Sequence, residues 1–200
     1  MKRVLVLASG RGSNFQALID ARGRGELSAD LVALVTDNPK AYAIGRAQEA
    51  GIPYAVVDYT RFASRGEYEQ ALLTVMREFF PDLVVLAGYM RIAGPGVVQA
   101  YAGRMINIHP ALLPSFPGLH GQRQALEHGT KVAGCTVHFV DDSLDGGPII
   151  VQRCVPVRED DSEDSLAERI LAEEHRALPL AVRLFCEGRL RIEGRRVLVT

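Results

Sequence analysis

The residues most able to do chemistry stand at Asn107-Ile108-His109-Pro110. In a strand, alternate side chains share a face, so Asn107 and His109 point one way and Ile108 the other. An amide and an imidazole on one side can both donate to a single oxygen, as stabilisation of an oxyanion at a tetrahedral carbon requires. A second group lies in Asp141-Asp142-Ser143-Leu144-Asp145-Gly146-Gly147-Pro148. Two glycines and a proline shape this loop. A carboxylate in it can orient His109, favour its cation, or take a proton through water. Asp141 and Asp142 also suit a solvated acidic turn. The glycines and acids predict a loop that becomes ordered when a ligand binds.

Ser9-Gly10-Arg11-Gly12-Ser13-Asn14 separates an apolar run from a helix-like segment. Small residues admit a ligand close to the backbone, and the N–H groups of a helix start attract anions. The third glycine of a dinucleotide fingerprint is absent, because Phe15 occupies its place. A single-phosphate cradle fits better. The same stretch also reads as a tight turn with Ser13 or Asn14 capping the helix. Gly88-Tyr89-Met90-Arg91-Ile92 follows another apolar run. Arg91 stands there as an isolated cation suited to a carboxylate or phosphate, and Met90 and Ile92 can line a flat apolar surface. His138 shares a strand face with Thr136 and Val140 and reads as structural.

The elements that must hold these groups alternate between strand and helix. Strands are expected at 3–8, 31–35, 53–57, 83–87, 104–108, 132–140 and 149–157. Helices are expected after Asn14 and over about 42–50, 64–80, 119–129 and 164–186, the last capped by Ser162 or Asp164. A hairpin at 190–192 and 197–199 closes the chain. Continuous apolar runs between helices indicate parallel strands buried on both faces. The fold class is therefore α/β and Rossmann-like, with a mostly parallel seven-stranded sheet and helices on both faces. Right-handed crossovers bring the loops after the strands to one edge, where ligands bind in such sheets.

Composition narrows the function classes. The chain has 200 residues, 48% hydrophobic and 24% charged, which excludes a disordered chain. Its 23 Lys and Arg against 24 Asp and Glu give a net charge of −1, unlike a general nucleic-acid binder. Three cysteines without C-x-x-C spacing point to free thiols in a reducing compartment rather than a disulfide framework or zinc site. No run approaches the ~18 apolar residues that span a bilayer.

Taken together, these segments resemble the folate-dependent glycinamide ribonucleotide formyltransferases. The resemblance is carried by S-G-R-G-S-N at 9–14, L-A-G-Y-M-R-I at 86–92, N-I-H-P-A-L-L-P-S-F-P-G-L-H at 107–120, D-S-L-D-G-G-P-I-I at 142–150 and E-E-H-R-A-L-P-L at 173–180. It implies one formyltransferase domain over 1–200, with a phosphate-binding half at 1–103 and a catalytic, folate-binding half at 104–200. The implied reaction moves the formyl group of 10-formyltetrahydrofolate to the amine of glycinamide ribonucleotide, in purine synthesis and without a metal. Asn107, His109 and Asp145 match the catalytic positions. Gly12, Ser13 and Asn14 would hold the ribonucleotide phosphate, and Glu174 its ribose hydroxyls. Arg65, Met90, Arg91, Ile92, Ala93, Asn107, Val140, Asp141 and Asp145 would contact the folate, with Arg91 near its glutamate tail. Arg11 and the small Ala93 depart from the usual pattern. The resemblance also implies a cytoplasmic protein whose partners are small molecules, not nucleic acid or membrane, and is compatible with a homodimer.

Other readings make different demands. Methionyl-tRNA formyltransferase shares the catalytic loop but usually adds a C-terminal barrel domain. Formyltetrahydrofolate hydrolase carries an N-terminal regulatory domain, whereas the first strand here starts at Arg3. A phosphate-binding module without catalysis would need Gly10–Asn14 and not Asn107, His109 or Asp145. A nicotinamide-dependent oxidoreductase would use Asp37 on a ribose.

Overall fold

The computed structural model describes residues 1–200. Its first apolar runs form β1 (Lys2–Leu7), β2 (Ala29–Thr36), β3 (Tyr54–Val56) and β4 (Leu83–Leu86). They pair in parallel in the order β3-β2-β1-β4. Val4, Leu5, Val6 and Leu7 have no exposed surface. A strand covered on both faces needs no polar face, which is why the sequence is apolar throughout rather than alternating. The connections are α1 (Ser13–Gly23), α2 (Ala43–Glu49) and α3 (Arg65–Glu78). Helix α3 buries Tyr68, Leu72 and Met76, four residues apart, and starts where the Ser64 hydroxyl accepts from the Glu67 N–H. The short α4 (Pro95–Ala100) was not expected. Six residues are too few to show a 3.6-residue period.

The chain divides into two units, Met1–Ile106 and Asn107–Thr200. Strand β5 (Met105–His109) runs through the division and carries Asn107 and His109 into the second unit.

That unit contains α5 (Gly121–Glu127), β6 (Val132–Phe139), β7 (Ile149–Pro156), α6 (Glu163–Cys186), β8 (Leu190–Glu193) and β9 (Arg196–Val199). Strands β6 and β7 are antiparallel, with a register shift between Val137 and His138. Helix α6 packs on both strands. Its buried residues Leu166, Ile170, Glu174, Ala177, Leu178, Ala181 and Val182 fall on one face, so a carboxylate sits within an otherwise apolar stripe. Ser162 caps it in a reciprocal capping box with Ser165.

The seven expected strands and the two of the expected hairpin all form, but the sheet has nine strands rather than seven. The terminal hairpin joins the sheet, because β9 pairs in parallel with β7 at Ile149 and Arg196 and antiparallel with β8. The outer edge of β7 presents unpaired backbone groups, and the hairpin pairs with it at the Ile149 end.

Candidate active site

The second unit brings Asn107, His109 and Asp145 together. The His109 Nδ1 lies 3.5 Å from Asp145 Oδ2, and its Nε2 is 2.9 Å from the Phe116 carbonyl. A carbonyl only accepts, so Nε2 carries a proton. Each ring nitrogen therefore faces an acceptor. Asp145 is held in turn by the Gly118 N–H, which donates to Oδ2 at 2.8 Å. Its backbone has φ +50°, a left-handed conformation that aspartate tolerates better than most side chains. His109 is 4% exposed, so water screens little of what its charge does.

His138 belongs to the same cluster, which the sequence reading did not anticipate. Its Nδ1 faces the Phe139 carbonyl at 2.9 Å and therefore bears the proton. Its Nε2 is left as an acceptor, and the Asn107 Nδ2 donates to it at 3.2 Å. Burial lowers the His138 pKa from 6.5, which keeps the ring neutral. The 3.7 Å approach of His138 Nε2 to Asp145 Oδ1 is thus a neutral contact rather than an ion pair. The same Asn107 nitrogen is 3.5 Å from Asp145 Oδ1. The two imidazoles have opposite surroundings: His109 lies between two acceptors, while His138 is a buried base that turns the Asn107 amide.

A further polar group fastens the loop after β5. The Thr136 hydroxyl donates to the Ala111 carbonyl at 2.7 Å and accepts from the Leu113 N–H at 3.0 Å. Gln152 donates to Thr136 Oγ1 at 3.0 Å and to the Leu113 carbonyl at 2.8 Å. The signal for this group is the strand face that Thr136 and His138 share by parity, since both are polar in a buried strand.

In the first unit, every residue from Gly88 to Ile92 is tied down. The Ser9 N–H donates to the Gly88 carbonyl at 3.1 Å, and the Met90 N–H donates to Ser9 Oγ at 2.9 Å. Tyr89 shares a hydrogen bond with Tyr68. Burial pushes the Tyr68 phenol up to about 12 and the Tyr89 phenol higher still, so both remain neutral. Arg65 Nη2 donates to the Ile92 carbonyl at 3.2 Å while Nε pairs with Glu69 at 2.6 Å. The Met90 and Ile92 side chains are 68% and 65% exposed, an apolar surface on a fixed backbone.

Arg91 is not the isolated cation expected from sequence. Its Nε donates to Asp37 Oδ2 at 2.9 Å, and its guanidinium lies 3.8 Å from the centre of the Tyr59 ring. The Asp37 side chain is 4% exposed, and burying a carboxylate requires a cation beside it. Arg91 therefore fastens the loop. Asp37 makes that pair through one oxygen, while its Oδ1 is buried without a hydrogen-bond partner.

The anion cradle of the first unit is built on α1. Gly12 occupies the N-cap position at φ +67°, with no side-chain cap, so neither Ser13 nor Asn14 caps the helix. Ser13 and Asn14 start it, and such first-turn N–H groups lack acceptors within a helix. No acid stands in that turn. A Cβ on Gly12 would lie 2.6 Å from the Ala43 Cβ, so packing against α2 requires glycine as much as the backbone angle does. Arg46 donates to the Arg11 carbonyl at 2.8 Å, adding positive charge beside the loop. These features favour an anion.

The remaining expected residues lie as follows. Glu174 is 7% exposed on α6. Burial, with a smaller contribution from Glu174, pushes the Cys135 thiol up to about 12. Asp141 accepts from the Ser143 N–H at 2.9 Å, shaping its own turn. Ala93 and Val140 directly follow the 88–92 stretch and β6 respectively, and His120 adopts φ +63° at the start of α5. No helix is long and apolar enough to cross a membrane.

Comparison with known proteins assigns a family. The formyl transferase family matches residues 2–182. Phosphoribosylglycinamide formyltransferase of Escherichia coli is 46% identical over 189 residues, which are 94% of this chain and 89% of that protein. The trifunctional purine biosynthetic protein adenosine-3 of Drosophila melanogaster is 49% identical over 189 residues, but the chain spans only 14% of its length. The crystal structure of glycinamide ribonucleotide transformylase 1 from Symbiobacterium toebii matches with a TM-score of 0.97 at 50% identity, covering 100% of this chain and 94% of that one. With the whole α/β fold and 181 consecutive residues matched, the chain belongs to the formyl transferase family.

Proposed function

We propose that the chain transfers the formyl group of 10-formyltetrahydrofolate to the amine of glycinamide ribonucleotide, a step of purine biosynthesis. The observation that carries this reading is the Asn107, His109 and Asp145 cluster, with His138 turning the Asn107 amide. The neutral amine attacks the formyl carbon, and the carbonyl oxygen gains negative charge. Asn107 and protonated His109 donate to that oxygen. Asp145 balances the imidazolium and relays a proton through water to the departing folate nitrogen. His109 Nε2 now points to the Phe116 carbonyl, so substrate binding must exchange that acceptor for the formyl oxygen. Such tightening in the substrate complex is common among catalytic hydrogen bonds.

Other residues take supporting roles. Gly12, Ser13 and Asn14 hold the phosphate at the start of α1, and Glu174 accepts from ribose hydroxyls. The fixed 88–92 backbone and the exposed Met90 and Ile92 side chains receive the folate ring, together with Ala93, Val140 and Asp141. Arg65 contacts the folate, and Arg91, which also holds the loop through Asp37, approaches the glutamate tail.

The test follows tetrahydrofolate release from 10-formyltetrahydrofolate with and without glycinamide ribonucleotide. Release that depends on the ribonucleotide, with formylated ribonucleotide as product, is expected. Release at equal rate without it, yielding formate, would make the chain a hydrolase and overturn the reading.

A further inference from the structure

The family match ends at residue 182, yet one bond to the Asp145 loop comes from beyond it. The parallel bridge between Ile149 and Arg196 brings the hairpin turn beside the residues that lead into β7. There Arg195 Nη2 donates to the Gly146 carbonyl at 2.8 Å. Gly146 directly follows Asp145, whose left-handed φ of +50° is a conformation that side chains disfavour. Gly146 and Gly147 cannot restrict the backbone themselves. The far end of the loop is fixed by packing, since a Cβ on Gly147 would lie 1.8 Å from the Phe139 carbonyl oxygen. The near end is fixed by the Asp141 turn. Between them, Leu144 is 58% exposed and anchors little. The Asp145 carboxylate is held by Gly118, and the peptide one residue further on, between Gly146 and Gly147, is held by Arg195.

We infer that Arg195 is a positioning residue for Asp145: the terminal hairpin acts as a brace that keeps the carboxylate against His109. This rests on the reading of Asp145 and His109 as partners in formyl transfer. The guanidinium suits the task because it is permanently charged, and a charged donor makes the stronger bond to a carbonyl. The brace lies outside the segment that defines the family. It therefore adds a determinant of turnover that the motif residues do not contain.

Arg195→Ala and Arg195→Lys are compared with the wild type and with Arg191→Ala, which removes a different arginine of the same hairpin. Arg195→Ala is expected to lower kcat about 3- to 10-fold, the range of one modest hydrogen bond. Ribonucleotide affinity and thermal midpoint stay unchanged, and amide exchange quickens at 144–147 alone. Arg195→Lys recovers most of the rate, and Arg191→Ala behaves as wild type. Wild-type rates and exchange in Arg195→Ala would overturn the proposal. So would a lowered midpoint with exchange raised along the hairpin and α6 and no rescue by lysine, the mark of a purely structural staple. If the wild type itself transfers no formyl group, the functional reading fails. The exchange comparison then still decides whether the brace exists.

Discussion

At the scale of single residues, two buried histidines do different work because their hydrogen-bond partners differ. His109 faces a carboxylate and a carbonyl, whereas His138 offers a bare nitrogen to an amide. Replacing His138 by phenylalanine removes that acceptor while keeping a flat ring. The Asn107 amide is then free to turn, and kcat should fall roughly 5- to 50-fold with ribonucleotide affinity retained, as expected when a buried donor loses its partner. Steady-state kinetics beside ligand titration checks this. His138 also ties stability to pH. Its folded pKa lies below 6.5, so between these values the unfolded chain binds more protons than the folded one. The stability from keeping His138 neutral is complete above about 6.5 and is lost as pH falls below it. Chemical denaturation at pH 7 and pH 5 should show a smaller acid-induced loss in His138→Phe than in the wild type.

At the scale of elements, the start of α1 and the start of α6 use glycine and serine for different ends. Gly12 leaves the α1 terminus without a side-chain cap, open to an anion, while Ser162 closes the α6 terminus with a capping box. Gly12→Ala should therefore cost stability, about 1–3 kcal/mol from the left-handed angle and the clash with Ala43, and also weaken binding of inorganic phosphate. Ser162→Ala should cost about 0.5–2 kcal/mol and leave phosphate binding and turnover intact. Thermal unfolding and phosphate titration on both variants separate the two roles; equal phosphate affinity in Gly12→Ala would argue against the cradle. The elements themselves were mostly legible. Apolar runs such as Val4–Leu7 and the four-residue spacing of Tyr68, Leu72 and Met76 state their burial directly. Helix α4 and the pairing of β9 with β7 were not legible, because a six-residue helix lacks a period and strand partners are chosen by tertiary packing.

At the scale of the whole molecule, a net charge of −1 provides no basic surface, so the proposed function requires local devices such as the start of α1 to hold its anionic small molecules. Asn107 and His109 were legible from residue type and strand parity and Asp145 from the family resemblance, and the structure gathers the three in one unit. Arg91 was misread because a sequence shows a cation but not the buried carboxylate that claims it, here Asp37, some fifty positions away. His138 was passed over for the same reason: its partner lies on β5, and periodicity reports burial but not who faces whom. The central claim is that His109 stabilises the charge that develops on the formyl oxygen. The most direct test is the kcat of His109→Ala for formyl transfer, measured with its dissociation constant for glycinamide ribonucleotide. The account predicts a fall in kcat of about 10²- to 10³-fold, the usual effect of losing one oxyanion donor, with the dissociation constant within about 2-fold of the wild type, because binding contacts made equally in ground and transition states are untouched. An unchanged kcat would contradict it.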